Sequence, residues 1–137
     1  MRKGFTLVEV LIVVIIIGIL ASIAVPQYVT SIEKARSGEA AVNIGSIRTS
    51  VDRYWYQNAS ITDDWAYLDI DNPNAVTNAL YSYDITDDGT SASTRAYTIS
   101  ATRTSAGGTA YTVEWVQTNN IAGKLYRSAN LGGPVKP

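Results

Sequence analysis

The chain has 137 residues, 46% of them hydrophobic, which is enough for one compact domain with a core. Eleven Lys and Arg against twelve Asp and Glu leave a formal net charge of −1, so the basic footprint of a nucleic-acid binder is missing and nucleic acid is excluded as a main partner. There is no cysteine and no histidine, which removes disulfides, thiolate nucleophiles, the commonest zinc ligand and the usual catalytic triads; the chain does not read as an enzyme and no cofactor is expected.

The first element lies in GFTLVEVLIVVIIIGILASIAVPQY, where a single Glu9 interrupts an otherwise continuous oily run from Phe5 to Val25. Between Val10 and Ile32 no residue is charged. As a helix, Phe5 to Val25 would run about 32 Å against roughly 30 Å of hydrocarbon, long enough to cross a membrane. Arg2 and Lys3 precede the run, while Glu33, Lys34 and Arg36 follow it with mixed sign. The positive-inside rule then places the N-terminus in the cytoplasm and exports the rest.

Glu9 is the residue to explain, because an acidic side chain within a membrane span costs a few kcal/mol and usually marks a function. Two simple readings leave it unexplained. One is a secretory signal peptide, with Arg2 and Lys3 as its basic region, Leu11 to Ala21 as its apolar region and Ser22-Ile23-Ala24 as its cleavage site, releasing a soluble domain that begins at Val25. The other is a plain anchor in which Glu9 reaches the headgroups.

The residues around the charge support a third reading. Gly4-Phe5-Thr6-Leu7-Val8-Glu9, behind Arg2 and Lys3, resembles the cleavage motif of type IV prepilins, and the resemblance is dense from Arg2 to about Tyr28. It implies a leader at residues 1–4 that is cut after Gly4 by a dedicated prepilin peptidase and methyltransferase. Phe5 becomes the N-methylated terminus, and Glu9 pairs with the Phe5 ammonium of an adjacent subunit. Residues 5–28 would be the transmembrane and polymerisation helix, and residues 29–137 a globular head. Such a buried pair adds little net stability, but breaking it typically costs about 3 to 5 kcal/mol, so Glu9 would set register. Affinity would come from the aliphatic stripe of Val10, Leu11, Val13, Val14, Ile15 to Ile17, Ile19 and Leu20, each on the order of 1.5 to 3 kcal/mol when buried. Gly18 and Pro26 bracket a stretch of weakened helix. The resemblance implies that this stretch melts in assembled fibres; the alternative is an ordinary proline kink.

Beyond Tyr28, Ala40, Ile44, Ile47, Val51, Tyr54 and Trp55 recur at spacings of three and four, the apolar face of a helix that runs to about Gln57 and should cover a sheet. Glu39, Arg48, Asp52 and Arg53 are expected on the opposite, solvated side, with Arg48 and Asp52 paired at i,i+4. Residues 61–78 read as a connection with one short helical turn. Strand-like alternation follows at Tyr81, Tyr83 and Ile85. It resumes at Tyr97, Ile99 and Ala101, which pair with Tyr111, Val113 and Trp115 through a hairpin at Ser105-Ala106-Gly107-Gly108. A last strand is predicted at Lys124 to Arg127, after Asn119-Asn120, with a loose tail from Gly132 to Pro137. The predicted fold is α+β: a long N-terminal helix, about residues 5–57, whose outer half packs on a three- or four-stranded antiparallel sheet, as in type IV pilins.

Asp84-Ile85-Thr86-Asp87-Asp88-Gly89 is the best candidate for a calcium loop, through Asp84, Asp87 and Asp88, since related pseudopilins hold calcium. The competing reading is a solvated turn. Asn58-Ala59-Ser60 fits a glycosylation sequon. The nine Tyr and three Trp read as packing residues rather than an electron path. Many pilins close a C-terminal loop with a disulfide, and this chain, lacking cysteine, must close it by packing or metal.

Three functions remain. The first, implied by the resemblance, is a pilin, held in the bacterial inner membrane and then polymerised by the pilus assembly machinery into an extracellular surface filament for adhesion, twitching motility or DNA uptake. Alternatively it is a pseudopilin of a type II secretion system, or a soluble exported binding domain released by signal peptidase.

Overall fold

The computed structural model describes residues 4–89, 94–104, 108–118 and 122–136. Arg2, Lys3, Ser105, Ala106, Gly107, Asn119, Asn120 and Pro137 lie outside the described residues. The chain divides into two units, Met1–Glu33 and Lys34–Pro137.

One helix, α1 (Leu7–Asn58), supplies all of the first unit's regular structure and the first element of the second. In the first unit its aliphatic residues surround the helix rather than forming one face, and every described side chain from Gly4 to Ser31 is exposed. Gly18 and Pro26 both sit within continuous helix. Pro26 brings no N–H to the ladder, and nearby hydroxyls take up helix carbonyls: Ser22 donates to Ile19 C=O at 2.7 Å and Thr30 to Pro26 C=O at 3.0 Å.

In the second unit, α1 continues to Asn58 and faces a four-stranded antiparallel sheet. Its strands, β1 (Ser82–Asp87), β2 (Tyr97–Thr104), β3 (Ala110–Gln117) and β4 (Lys124–Arg127), lie in chain order. The period-2 pattern sets the register: Tyr83 opposes Ala101, Ile85 opposes Ile99, and Ala101 opposes Val113 on one face. That face and the helix residues Ala40, Ile44, Ile47 and Val51 form the buried core, with Leu68 and Leu131 at its margins. The expected α+β arrangement is the observed one.

Three details differ from expectation. Arg48 and Asp52 are ion-paired at 3.6 Å as expected, but only Arg48 stays half exposed while Asp52 is largely covered. The Arg48 guanidinium stacks 4.2 Å above the Trp115 ring. Asp52 accepts the Tyr97 hydroxyl at 2.7 Å and faces Arg95 at 3.4 Å, because the wide sheet reaches past the apolar stripe and needs polar partners at its rim. Residues 61–78 contain two 3-10 turns, Trp65–Tyr67 and Pro73–Ala75, capped by Asp64 and Asn72. Asp69 ties this segment to α1 through the Ser50 hydroxyl and Arg53.

The tail is not loose over its described part. Gly132 and Gly133, both at positive φ, turn the chain back so that Pro134 C=O accepts the Arg127 N–H at 2.9 Å and Lys136 pairs with Glu114 at 3.7 Å. A backbone hydrogen bond and an ion pair close this loop without a disulfide. Ser128 strengthens the closure, donating its N–H to Thr112 C=O at 2.9 Å and receiving the Thr112 N–H on its hydroxyl at 3.3 Å.

Candidate assembly site at the helix N-terminus

Helix α1 begins where Thr6 and Glu9 cap one another. Glu9 Oε2 accepts the Thr6 backbone N–H at 2.8 Å and the Thr6 hydroxyl at 2.7 Å, while the Thr6 hydroxyl oxygen accepts the Glu9 N–H at 3.3 Å. Thr-x-x-Glu is the sequence form of this reciprocal cap, which satisfies N–H groups that have no partner inside the helix. The carboxylate also lies in the first turn, where the helix dipole favours a negative charge. The spacing Thr6-Leu7-Val8-Glu9 carries this cap in the sequence itself, independently of the charge of Glu9.

Both Thr6 bonds fall on one carboxylate oxygen. Among the described residues Oε1 accepts no hydrogen bond, so half of the carboxylate's bonding capacity is open. On the same first turns of the helix, Phe5, Leu7, Val10, Leu11 and Val14 line an open apolar hollow of about 530 Å³, and Phe5 is 90% exposed. Gly4 precedes Phe5 with open space where a side chain would be. An anion with a spare oxygen, set in a band of uncovered aliphatic side chains, can accept a cation delivered with apolar surface. The helix is long and apolar enough to cross a membrane, with a mean hydropathy of 3.0 in its most apolar window.

The other predicted site residues are not gathered. Gly18 and Pro26 lie farther along α1 than this cap. Asp84, Asp87 and Asp88 do not converge. Asp84 accepts from the Thr86 hydroxyl, Asp87 from the Gly89 N–H at 2.9 Å, and Asp88 from the Thr98 hydroxyl. Strand alternation sends Asp84 and Asp87 to opposite faces, and among the described residues no group of three potential ligands is close enough to hold a metal. Asp84 and Asp87 lie in the edge strand β1, and Asp88 in the turn that follows it. Asn58 of the sequon folds its amide back to Tyr54 C=O at 3.0 Å, at the end of α1.

A family model described as the prokaryotic N-terminal methylation motif matches residues 1–25. The chain is 46% identical over 52 residues to a type IV major fimbrial protein FimA of Dichelobacter nodosus, covering 38% of this chain and 33% of that one. Over this N-terminal segment the chain is similar to proteins of the type IV pilin family. To a type II secretion system core protein G of Vibrio cholerae it is 44% identical over 61 residues, covering 43% and 42% of the two chains. To the fimbrial protein EcpB of Eikenella corrodens it is 47% identical over 51 residues, covering 37% and 32%. The chain thus spans about a third of the length of the fimbrial relatives it matches. No solved structure matches. The pilin-family likeness thus rests on the N-terminal motif and on an α+β architecture of one long helix with a four-stranded antiparallel sheet.

Proposed function

We propose that the chain is a structural subunit of a type IV pilus. It enters the bacterial inner membrane as a prepilin and is cleaved after Gly4 and methylated on Phe5 by a prepilin peptidase and methyltransferase. The assembly machinery then polymerises it through residues 5–28 into a surface filament that presents residues 29–137 as its head. The observation that carries this reading is the half-satisfied Glu9 carboxylate beside an exposed Phe5, in a helix segment whose apolar side chains are all uncovered. A processed neighbour supplies what is missing, an ammonium on Phe5 together with an aliphatic face. The charge pair selects axial register, because a shifted register leaves two buried charges unpaired, at about 3 to 5 kcal/mol. Burial of the aliphatic stripe supplies the affinity. In the assembled state Gly18 and Pro26 mark the stretch where the helix yields first.

N-terminal mass spectrometry of the mature chain tests the processing. A methylated Phe5 terminus is expected, whereas a chain beginning at Val25 would make it a soluble domain released by signal peptidase. The secretion-system relative favours a second reading, a pseudopilin whose short periplasmic fibre drives type II secretion. Surface filaments that shear off and contain this chain support the pilus. A secretion defect on deletion, with no sheared filaments, supports the pseudopilin.

A further inference from the structure

The sheet has two edges, and the chain treats both. At β4 the tail covers the edge by taking the Arg127 N–H onto Pro134 C=O at 2.9 Å. At β1 the cover is one side chain. Asn74, presented by the Pro73–Ala75 turn and braced by its own N–H to Asn72 Oδ1 at 2.9 Å, donates its amide to Tyr83 C=O and accepts the Tyr83 N–H, both at 2.7 Å. It fills the place of a pairing strand at one residue. Because antiparallel pairing alternates, Ile85 and Asp87 also turn their N–H and C=O outward, whereas Asp88 turns inward and donates to Ala96 C=O at 3.0 Å. Among the described residues no backbone partner meets the Ile85 or Asp87 N–H.

We propose that Asn74, together with the Asp84 and Asp87 carboxylates, guards the β1 edge against pairing with the β1 edge of a second copy of this chain. The two-fold arrangement centred on Ile85 shows how the guard works. It would set Tyr83 opposite Asp87 and Asp84 opposite Thr86. Each Asn74 would then occupy the position the other copy's Asp87 backbone must take. The two Asp84 carboxylates would lie diagonally on one face, about 7 to 8 Å apart and inside a Debye length. Blocking side chains and charges on an edge strand are how sheets avoid merging. The acidic segment 84–88 has a use on this account: it keeps crowded copies from joining sheet to sheet. The proposal stands independently of the filament reading.

The test is backbone deuterium exchange at Ile85 and Asp87 in the full chain, purified in detergent micelles, over a wide range of protein concentration, with far-UV circular dichroism as the check on folding. In the unaltered chain the rates are expected to be independent of concentration. In Asn74→Ala/Asp84→Asn/Asp87→Asn they are expected to slow by about tenfold at high concentration as the edges pair. Concentration-independent rates in the folded triple variant, or slowing already in the unaltered chain, would overturn the proposal. Where the triple variant loses its fold, Asp84→Asn/Asp87→Asn takes its place. Both asparagines still accept the bonds from Thr86 and Gly89; Asn74 still blocks position 87, so a slowing of about threefold is expected at Ile85 alone, with no change there counting against the guard.

Discussion

Glu9 Oε2 accepts both donors of Thr6, at 2.8 and 2.7 Å, so the group proposed to meet a neighbour's cation is also the group that starts the helix. Thr6→Ala removes the hydroxyl from this cap, and losses of this kind run to about 1 kcal/mol. Amide exchange at Leu7 to Val10 in micelles should quicken about fivefold, and Thr6→Ser should restore it. Unchanged exchange in Thr6→Ala would mean that the cap does not hold the helix start.

The two roles of Glu9 separate by chemistry. Glu9→Gln keeps an oxygen for Thr6, since glutamine serves in a capping box, but it removes the charge. Glu9→Leu removes both. Both variants are expected to insert in the membrane and both to fail in filament assembly, while only Glu9→Leu frays the helix start. Filaments at normal yield from Glu9→Gln would show that the cap, and not the charge, is what assembly uses.

The periodic parts of this molecule were legible in its sequence. Three-four spacing marked Ala40, Ile44, Ile47 and Val51, and alternation marked Tyr83, Ile85, Ile99 and Val113, because burial on one face leaves a repeating trace. Contacts made by single side chains across long separations leave none. Nothing local in Asn74 announces Tyr83, and Arg95 and Asp52 meet only once the sheet has folded over α1. The tail follows the same rule, since Gly132 and Gly133 look like a loose end until Arg127 and Glu114 are placed beside Pro134 and Lys136.

Gly123 supplies a test of sheet packing. A Cβ there would fall 2.5 Å from two carbons of the Trp115 ring and 2.7 Å from the Val116 carbonyl oxygen. The ring cannot simply retreat, because the Arg48 guanidinium stacks on it at 4.2 Å. Gly123→Ala should destabilise the domain by about 1 to 3 kcal/mol, the usual penalty of overpacking, and alter tryptophan emission. A melting temperature equal to that of the unaltered chain would contradict this packing.

Tyr97 carries the clearest dependence on pH. Its hydroxyl is buried and donates to Asp52 Oδ1 at 2.7 Å, and burial first, then the Asp52 hydrogen bond and charge, push its pKa well above the ordinary tyrosine range. Burial raises Tyr83 as well, against a smaller opposing effect from its hydrogen bond with Asn43. A phenol whose folded pKa lies above its unfolded one keeps its full contribution to stability below the unfolded value, near pH 10, and loses it as pH rises beyond that value. Chemical denaturation of the chain should therefore show stability flat through neutral pH and falling above about pH 10. Tyr97→Phe should cost about 1 to 3 kcal/mol at neutral pH by removing a hydrogen bond to a charged, largely buried partner. It should also make the alkaline fall shallower, leaving the part due to Tyr83. If the alkaline fall in Tyr97→Phe is as steep as in the unaltered chain, the Tyr97–Asp52 contact is not its source.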